Sequence, residues 1–209
     1  MDVRFCDETD WGFGWIAAEP RLMQRCSHAL ALEGRVWLFD GVDGDGVEER
    51  IRALGEPAGV VQLLDRHSRD CPALAHRLGV PLHRLPLQHV PGTPFRPLVV
   101  IHNRYWQEIA IWWQERHVLL CADAVGTAPY YLAPGERLGV SPVLRLFPPQ
   151  RLGGLEPAHV LCGHGEGVHE RAAEALQEAL TGSSRRIPGW LLRQAALGAR
   201  ALRRRLGDG

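Results

Sequence analysis

Between Leu64 and Pro72 the chain sets Asp65, Arg66, His67, Ser68, Arg69, Asp70 and Cys71 side by side. Carboxylate, thiol and imidazole are metal ligands, and guanidinium groups bind anions, but the same set also makes a plain ion-paired loop. A polar block of this kind cannot be core. Its flanks say where it lies. Gly59-Val60-Val61-Gln62-Leu63-Leu64 is short, β-branched and apolar, the pattern of a buried strand, whereas Pro72-Ala73-Leu74-Ala75-His76-Arg77-Leu78 reads as a short helix with proline at its first position. The block is therefore a strand-to-helix loop at the carboxyl end of a buried strand, where α/β proteins usually place their chemistry. Two further residues stand in similar places. Asp123 follows Val118-Leu119-Leu120-Cys121, and His164 sits between two glycines directly after His159-Val160-Leu161-Cys162.

The elements that must position these groups can be read in order. Trp11-Gly12-Phe13-Gly14-Trp15 is glycine-rich and is expected to be a loop whose aromatics cover an edge of the core. Residues 27–32 and 35–40 around Glu33-Gly34 predict a β-hairpin, ending in an acidic, glycine-rich loop through Asp45. Val47 to Leu54 has apolar residues at helical spacing, closed by Gly55 and Pro57. After the polar block, residues 80–85 predict a short strand. Residues 98–102, 106–113 and 117–122 predict a meander with Gln114-Glu115-Arg116 turning between its last two strands. Residues 129–157 are proline-rich and predict only turns and short helices. Residues 159–162 predict another buried strand and 168–180 an amphipathic helix.

With 209 residues, 45% hydrophobic and 23% charged, the chain has the composition of one globular domain plus a tail. Its 24 basic residues balance 24 acidic ones, so no overall field selects nucleic acid or membrane; all the basic residues are arginine. No segment approaches the roughly 18 to 20 apolar residues of a membrane span, and Met1-Asp2-Val3-Arg4 begins nothing like a signal peptide. Five cysteines without paired spacing, Cys6, Cys26, Cys71, Cys121 and Cys162, suggest reduced thiols and a cytoplasmic location.

In this order the motifs resemble those of the metallo-β-lactamase-fold hydrolases. That superfamily has an early hairpin ending in a Val-Asp-like dipeptide, a helix, a buried strand and an H-x-H-x-D-H loop. Later come a histidine-bearing strand turn, a strand ending in Gly-Asp-Ala, and a strand ending in Pro-Gly-His-Gly. Here Leu38-Phe39-Asp40, Arg66 to Cys71, the Trp106 meander, Ala122-Asp123-Ala124 and Cys162-Gly163-His164-Gly165 follow that sequence. The resemblance covers about residues 25 to 182. It implies an α/β fold, a four-layer αβ/βα sandwich with two sheets face to face, helices outside, and the site at one edge between the sheets.

The same resemblance shows a degenerate metal motif. With Asp70 on the motif aspartate, the first two histidines become Arg66 and Ser68 and the last becomes Cys71. No histidine stands near Arg104 to Trp106, where the third first-metal ligand belongs, and His102 is shifted. The second-metal set implied by the resemblance is Asp70, Cys71, Asp123 and His164, an acceptable zinc or iron set since cysteine replaces histidine with a softer donor. At most one ion is then expected, or none if the site is fully degenerate. Each position also has a plainer reading. Asp70 can cap the helix at Pro72. Cys71 can fill a small buried space. Asp123 can pair with Arg66 or Arg104 in place of metal. His164 can be satisfied by backbone, and His67, offset by one from the motif histidines, can be solvated. Trp106 is expected to pack, and Glu108 to lie at the surface or in an ion pair.

Two functions follow from this reading. The first is a hydrolase with one metal ion and a water nucleophile. Asp70 and Arg66 would carry catalysis, while Arg66, Arg104, His67 and Trp106 would bind an anionic substrate. The second is a non-catalytic relative that binds an anionic ligand through arginines at the lost metal site. In that alignment Arg66 points inward and Arg69 is a spacer. Residues 1–182 are expected to form the domain and 183–209 a basic amphipathic helix, with Leu191, Leu192, Ala195, Leu202 and Leu206 as its apolar stripe. Packing on its own domain or on a second subunit, as in a homodimer, is the default for this helix.

Overall fold

The structure, a computed structural model, describes residues 1–18 and 23–207. A six-stranded sheet is built from β1 (Val3–Thr9), β2 (Gly12–Ala17), β3 (Cys26–Leu32), β4 (Arg35–Phe39), β5 (Glu56–Gln62) and β6 (Leu82–Arg84), neighbours in that order. Its first four strands are antiparallel, and β4, β5 and β6 run parallel. The second sheet has the order β12-β9-β8-β7, from β7 (Arg96–Asn103), β8 (Trp106–Trp113), β9 (Val118–Cys121) and β12 (His159–Cys162). β10 (Val125–Gly126) and β11 (Gly139–Val140) form a short ribbon.

Alternation along the strands makes both faces of each sheet apolar, so each must be covered twice. Between the sheets, Trp37, Phe39, Val61 and Leu63 meet Phe95, Ile109, Ile111, Trp113 and Leu120. On the outer face of the first sheet, α1 (Val47–Leu54) and α2 (Cys71–Leu78) bury Val47, Ile51, Cys71 and Leu74 against Trp15, Leu38 and Val60. On the outer face of the second, α3 (Ala172–Gly182) buries Ala175, Leu176 and Ala179 against Leu119, Val160 and Cys162. The result is the expected four-layer α/β sandwich. At one edge the two sheets are stitched by isolated bridges, Leu64 with Glu108 and Arg25 with His164.

Residues 11–15 correct the expected loop, because they are the turn and first half of β2. Glycine here serves close approach, not disorder: a Cβ at Gly12 would lie 2.4 Å from the Ala29 carbonyl oxygen. The tail forms α4 (Ile187–Gly207). It docks through Trp190, whose Nε1 donates to the Tyr130 carbonyl at 2.7 Å, and Gln194, which donates to the Pro129 carbonyl at 3.2 Å. Leu191, Leu192 and Ala195 of the expected stripe are exposed, while the side chains of Leu202 and Leu206 lie outside the described residues. No described helix is long and apolar enough to cross a membrane.

Candidate metal centre

Where the sheets are stitched together, three side chains from three loops converge: His67 after β5, Asp123 after β9 and His164 after β12. Asp123 Oδ1 lies 3.0 Å from His67 Nε2 and 2.9 Å from His164 Nε2. Each imidazole is oriented through its other nitrogen. Nδ1 of His67 is 2.9 Å from Asp40 Oδ2, and Nδ1 of His164 is 2.7 Å from the Met23 carbonyl oxygen. Both partners only accept, so both Nδ1 atoms carry hydrogen and donate. In a neutral ring Nε2 is then left with a lone pair, the tautomer that ligates a metal.

Three acceptors facing one another repel unless a cation stands among them. The Oδ1 of Asp123 is buried, and these two ring nitrogens are its neighbours within 3.0 Å. The two imidazoles, working against burial, hold the Asp123 carboxyl well below the usual carboxylate range. For His67, burial and the Arg69 charge favour the neutral ring, but the carboxylates of Asp40 and Asp123 outweigh them and raise its pKa. The cluster thus calls for positive charge, supplied by protons or by a metal. Two imidazole nitrogens and a carboxylate oxygen are a zinc-type donor set that leaves a coordination position open.

The surroundings hold these side chains in place. Asp40 also accepts from the Leu63 N–H at 2.8 Å, which ties the His67 orienter to the end of β5. Glu108, fully inside the protein, accepts from the backbone N–H groups of Asp123 and Ala124 at 2.9 and 2.8 Å and from Trp106 Nε1 at 3.0 Å. Burial, with the Asp123 charge beside it, pushes its carboxyl up to about 8. Tyr131 stacks on the His164 ring at 5.5 Å and 23°. A cavity of about 430 Å³ opens beside Asp123, lined by Met23, Arg66, Trp106, Tyr130, Tyr131 and Val143 among others.

Several expected site residues stand elsewhere. Asp70 is at the first position before α2, but its Oδ2 accepts from the Asp43 N–H at 2.8 Å and caps nothing. Cys71 is buried under α2 with Trp15 and Leu74, its Sγ near the carbonyls of Gly41 and His67, and burial pushes its thiol up to about 12. Neither belongs to the His67–Asp123–His164 group. Arg66 is exposed, lies 4.5 Å over the Trp106 ring and donates to the Tyr105 carbonyl; Arg104 lies over Tyr105. Asp123 pairs with the two histidines rather than with these arginines. Arg69, expected to be a spacer, is the inward guanidinium: it donates to the carbonyls of Cys26, Asp40 and Gly163 at 2.6, 2.9 and 3.0 Å.

The correction has a local cause. Tight turns close from His67 N to the Leu64 carbonyl and from Cys71 N to the Ser68 carbonyl, and Arg69 adopts a left-handed φ of 40°. They shift the inward positions from 66 and 70 to 67 and 69, so a register counted along the motif is off by one. Glu108 corrects the surface reading: a lone carboxylate at the head of the apolar run to Trp113 was the available signal. Nothing in the sequence marks Met23 or Tyr131.

No family model matches the sequence, and no curated protein matches it. Solved structures do. A crystal structure of the DIM-1 metallo-β-lactamase exposed to ceftazidime aligns with a TM-score of 0.59 at 10% identity, covering 88% of this chain and 99% of the other. The mono-zinc form of the metallo-β-lactamase FIM-1 from Pseudomonas aeruginosa aligns at 0.58 and 11% identity, covering 88% and 97%. A fragment of a putative diflavin flavoprotein from Nostoc sp. PCC 7120 aligns at 0.63 and 10% identity, again covering 88% and 97%. The two facing sheets and the helices outside them are thus the parts of one known architecture, and this chain has the metallo-β-lactamase fold.

Proposed function

We propose that the protein is a hydrolase working with one divalent metal ion, zinc or iron, held by His67 Nε2, Asp123 Oδ1 and His164 Nε2. The observation that carries this is the buried Asp123 Oδ1, 3.0 and 2.9 Å from the Nε2 atoms of two imidazoles whose Nδ1 atoms are already committed. A bound ion would supply a Lewis acid able to activate water and polarise a substrate oxygen. The chain's own residues do the rest. Asp40 and the Met23 carbonyl fix the imidazole tautomers, Glu108 holds the backbone of the Asp123 loop, and Tyr131 keeps the His164 ring from turning. Arg66, on the rim of the 430 Å³ cavity, presents a guanidinium to an anionic substrate group, while Trp106, Tyr130 and Val143 take an apolar portion.

The competing reading is a non-catalytic binder of the same anionic ligands, with Arg66 as the anchor. It is favoured by the arrangement of His67, which already bridges Asp40 and Asp123 and leaves only three ligands. Both readings are tested by loading the metal-free protein with zinc and assaying anionic esters, thioesters, phosphodiesters and lactams. Zinc-dependent hydrolysis that disappears in His164→Ala supports the hydrolase. Zinc binding at His164 without turnover of any class supports the binder, and failure of His164→Ala to alter zinc binding overturns the metal centre itself.

A further inference from the structure

A second group of ligand-type side chains lies inside the first sheet, away from the cavity. Cys6 and Asp7 come from β1, Cys26 and His28 from β3. The two Sγ atoms are 3.8 Å apart. Cys6 Sγ is 3.6 Å from Asp7 Oδ2, Cys26 Sγ is 3.7 Å from His28 Nε2, and His28 Nε2 is 3.0 Å from Asp7 Oδ2. Donor atoms of Cys6, Asp7 and Cys26 all fall within 4.8 Å of one another. We propose that Cys6, Cys26 and Asp7, with His28 as the fourth donor, form a structural site for a zinc-class divalent ion.

Three features of the backbone serve this gathering. Strand neighbours normally face opposite sides, yet Cys6 and Asp7 both turn inward, because Asp7 has a left-handed φ of 52° at an irregularity in the β1–β2 register. β2 runs between the two contributing strands, and Gly14 sits between Cys6 and His28 in the ladder. A Cβ on Gly14 would stand 3.0 Å from Asp7 Oδ2, from Cys6 Sγ and from His28 Cδ2, so a side chain there would push the donors apart by a few tenths of an ångström. Finally, Asp7 divides its labour: Oδ2 faces His28 and the thiols, while Oδ1 accepts from the Gly167 N–H at 2.8 Å and lies 3.0 Å from His169 Nε2. That leaves one oxygen for a metal and one fixed by outer partners, as ligating carboxylates require.

The chemistry discriminates among occupants. Two thiolates on one tetrahedral zinc at about 2.3 Å stand about 3.8 Å apart, the separation of this pair. The two thiols are free, their Sγ atoms 3.8 Å apart against the ~2.05 Å of a disulfide bond, and β2 runs between the strands that carry them. Inert buried thiols would need no carboxylate among them, whereas the Asp7 and His28 side chains are each only 2% exposed. Two thiolates, a carboxylate and an imidazole around a dication carry one net negative charge. The Arg69 guanidinium, bonded to the Cys26 carbonyl, offsets it. The site is closed by protein on all donors, so its role is structural. Through Gly167 it pins the loop that carries His164, tying β1 and β3 to the other metal centre. The two donor sets share no residue, so this inference stands apart from the hydrolase reading, and it raises the one-ion expectation to two.

Cobalt(II) separates the sites, because only this one contains sulfur. Metal-free protein loaded with cobalt should bind two ions and show a thiolate-to-cobalt charge-transfer band. That band should persist in His164→Ala, which removes a donor of the other centre, and in Cys71→Ser, which removes a buried thiol outside both clusters, and disappear in Cys6→Ser or Cys26→Ser with loss of one ion. Should the serine variants fail to fold, the wild-type protein decides alone. A cobalt-loaded wild type without a thiolate band overturns the proposal. So does a Cys6–Cys26 disulfide found by thiol titration without reductant, or a band that depends on Cys71 instead.

Discussion

The two clusters use similar groups in opposite settings. His67, Asp123 and His164 come from three loops at the sheet edge, beside a cavity, with the Asp123 side chain 19% exposed; Cys6, Asp7, Cys26 and His28 come from strands and are sealed, with Asp7 at 2%. An open set of two imidazoles and one carboxylate leaves room for a substrate, whereas a closed set rich in sulfur holds the chain together. Arg69 joins them. Its guanidinium is bonded to the carbonyls of Cys26, Asp40 and Gly163, which belong respectively to the sealed cluster, the residue orienting His67 and the residue before His164.

If Arg69 couples the clusters, Arg69→Ala should give the largest effect. Three inward carbonyls would lose a charged donor worth about 1.5–3 kcal/mol each, although Asp40's keeps Ser27 Oγ and Gly163's keeps the Cys26 N–H, so a stability loss of about 3 kcal/mol or more is expected in chemical denaturation, with metal affinity reduced at both centres. A loss confined to one centre breaks the comparison.

Glu108 should distinguish the open cluster by pH in the metal-free protein. Its pKa is raised on folding from 4.5 to about 8. Its contribution to stability is therefore full below about 4.5 and is lost as pH rises through about 8. A fall on the order of a few kcal/mol over that window is expected in urea melts with chelator present, and Glu108→Gln should flatten it.

Asp40→Ala should lower metal affinity at the open centre about 10- to 100-fold, the usual cost of removing an outer partner of a ligating histidine, and leave the thiolate band unchanged. Competition with a chromophoric chelator measures it; an unchanged affinity would show that Asp40 does not set the His67 tautomer.

Deleting residues 187–209 removes the Trp190 contact with Tyr130, which adjoins the Tyr131 that stacks on His164. A melting temperature lower by roughly 2–8 °C is expected, corresponding to about 1–2 kcal/mol, together with weaker metal binding at the open centre alone. Unchanged stability and mass in solution would mean that the tail is free for another partner.

Arg66→Ala should cost least, about 1 kcal/mol or less, because an exposed guanidinium over Trp106 contributes only a cation–π contact. Its effect belongs to substrate affinity. A loss matching that of Arg69→Ala would restore the register in which residue 66 points inward.

The sequence by itself determined most of the elements, and the order of its motifs, through their resemblance to the metallo-β-lactamase fold, implied the layers. Helical spacing from Val47 to Leu54, the apolar runs before Asp123 and His164, and their order along the chain are local patterns that burial enforces wherever the chain folds. It also showed that Asp123 and His164 lie past strand ends. Which loop residue joins them was decided by tertiary structure. His67 instead of Asp70 or Cys71 faces the centre because two tight turns and the left-handed Arg69 reset the inward positions, and a turn's handedness is not written in residue type when the residue is not glycine. The sealed cluster was invisible for a similar reason. Cys6 and Cys26 are 20 residues apart, and they meet only because Asp7 breaks strand alternation and Gly14 leaves space across β2, two facts of packing between strands that no spacing along the chain records.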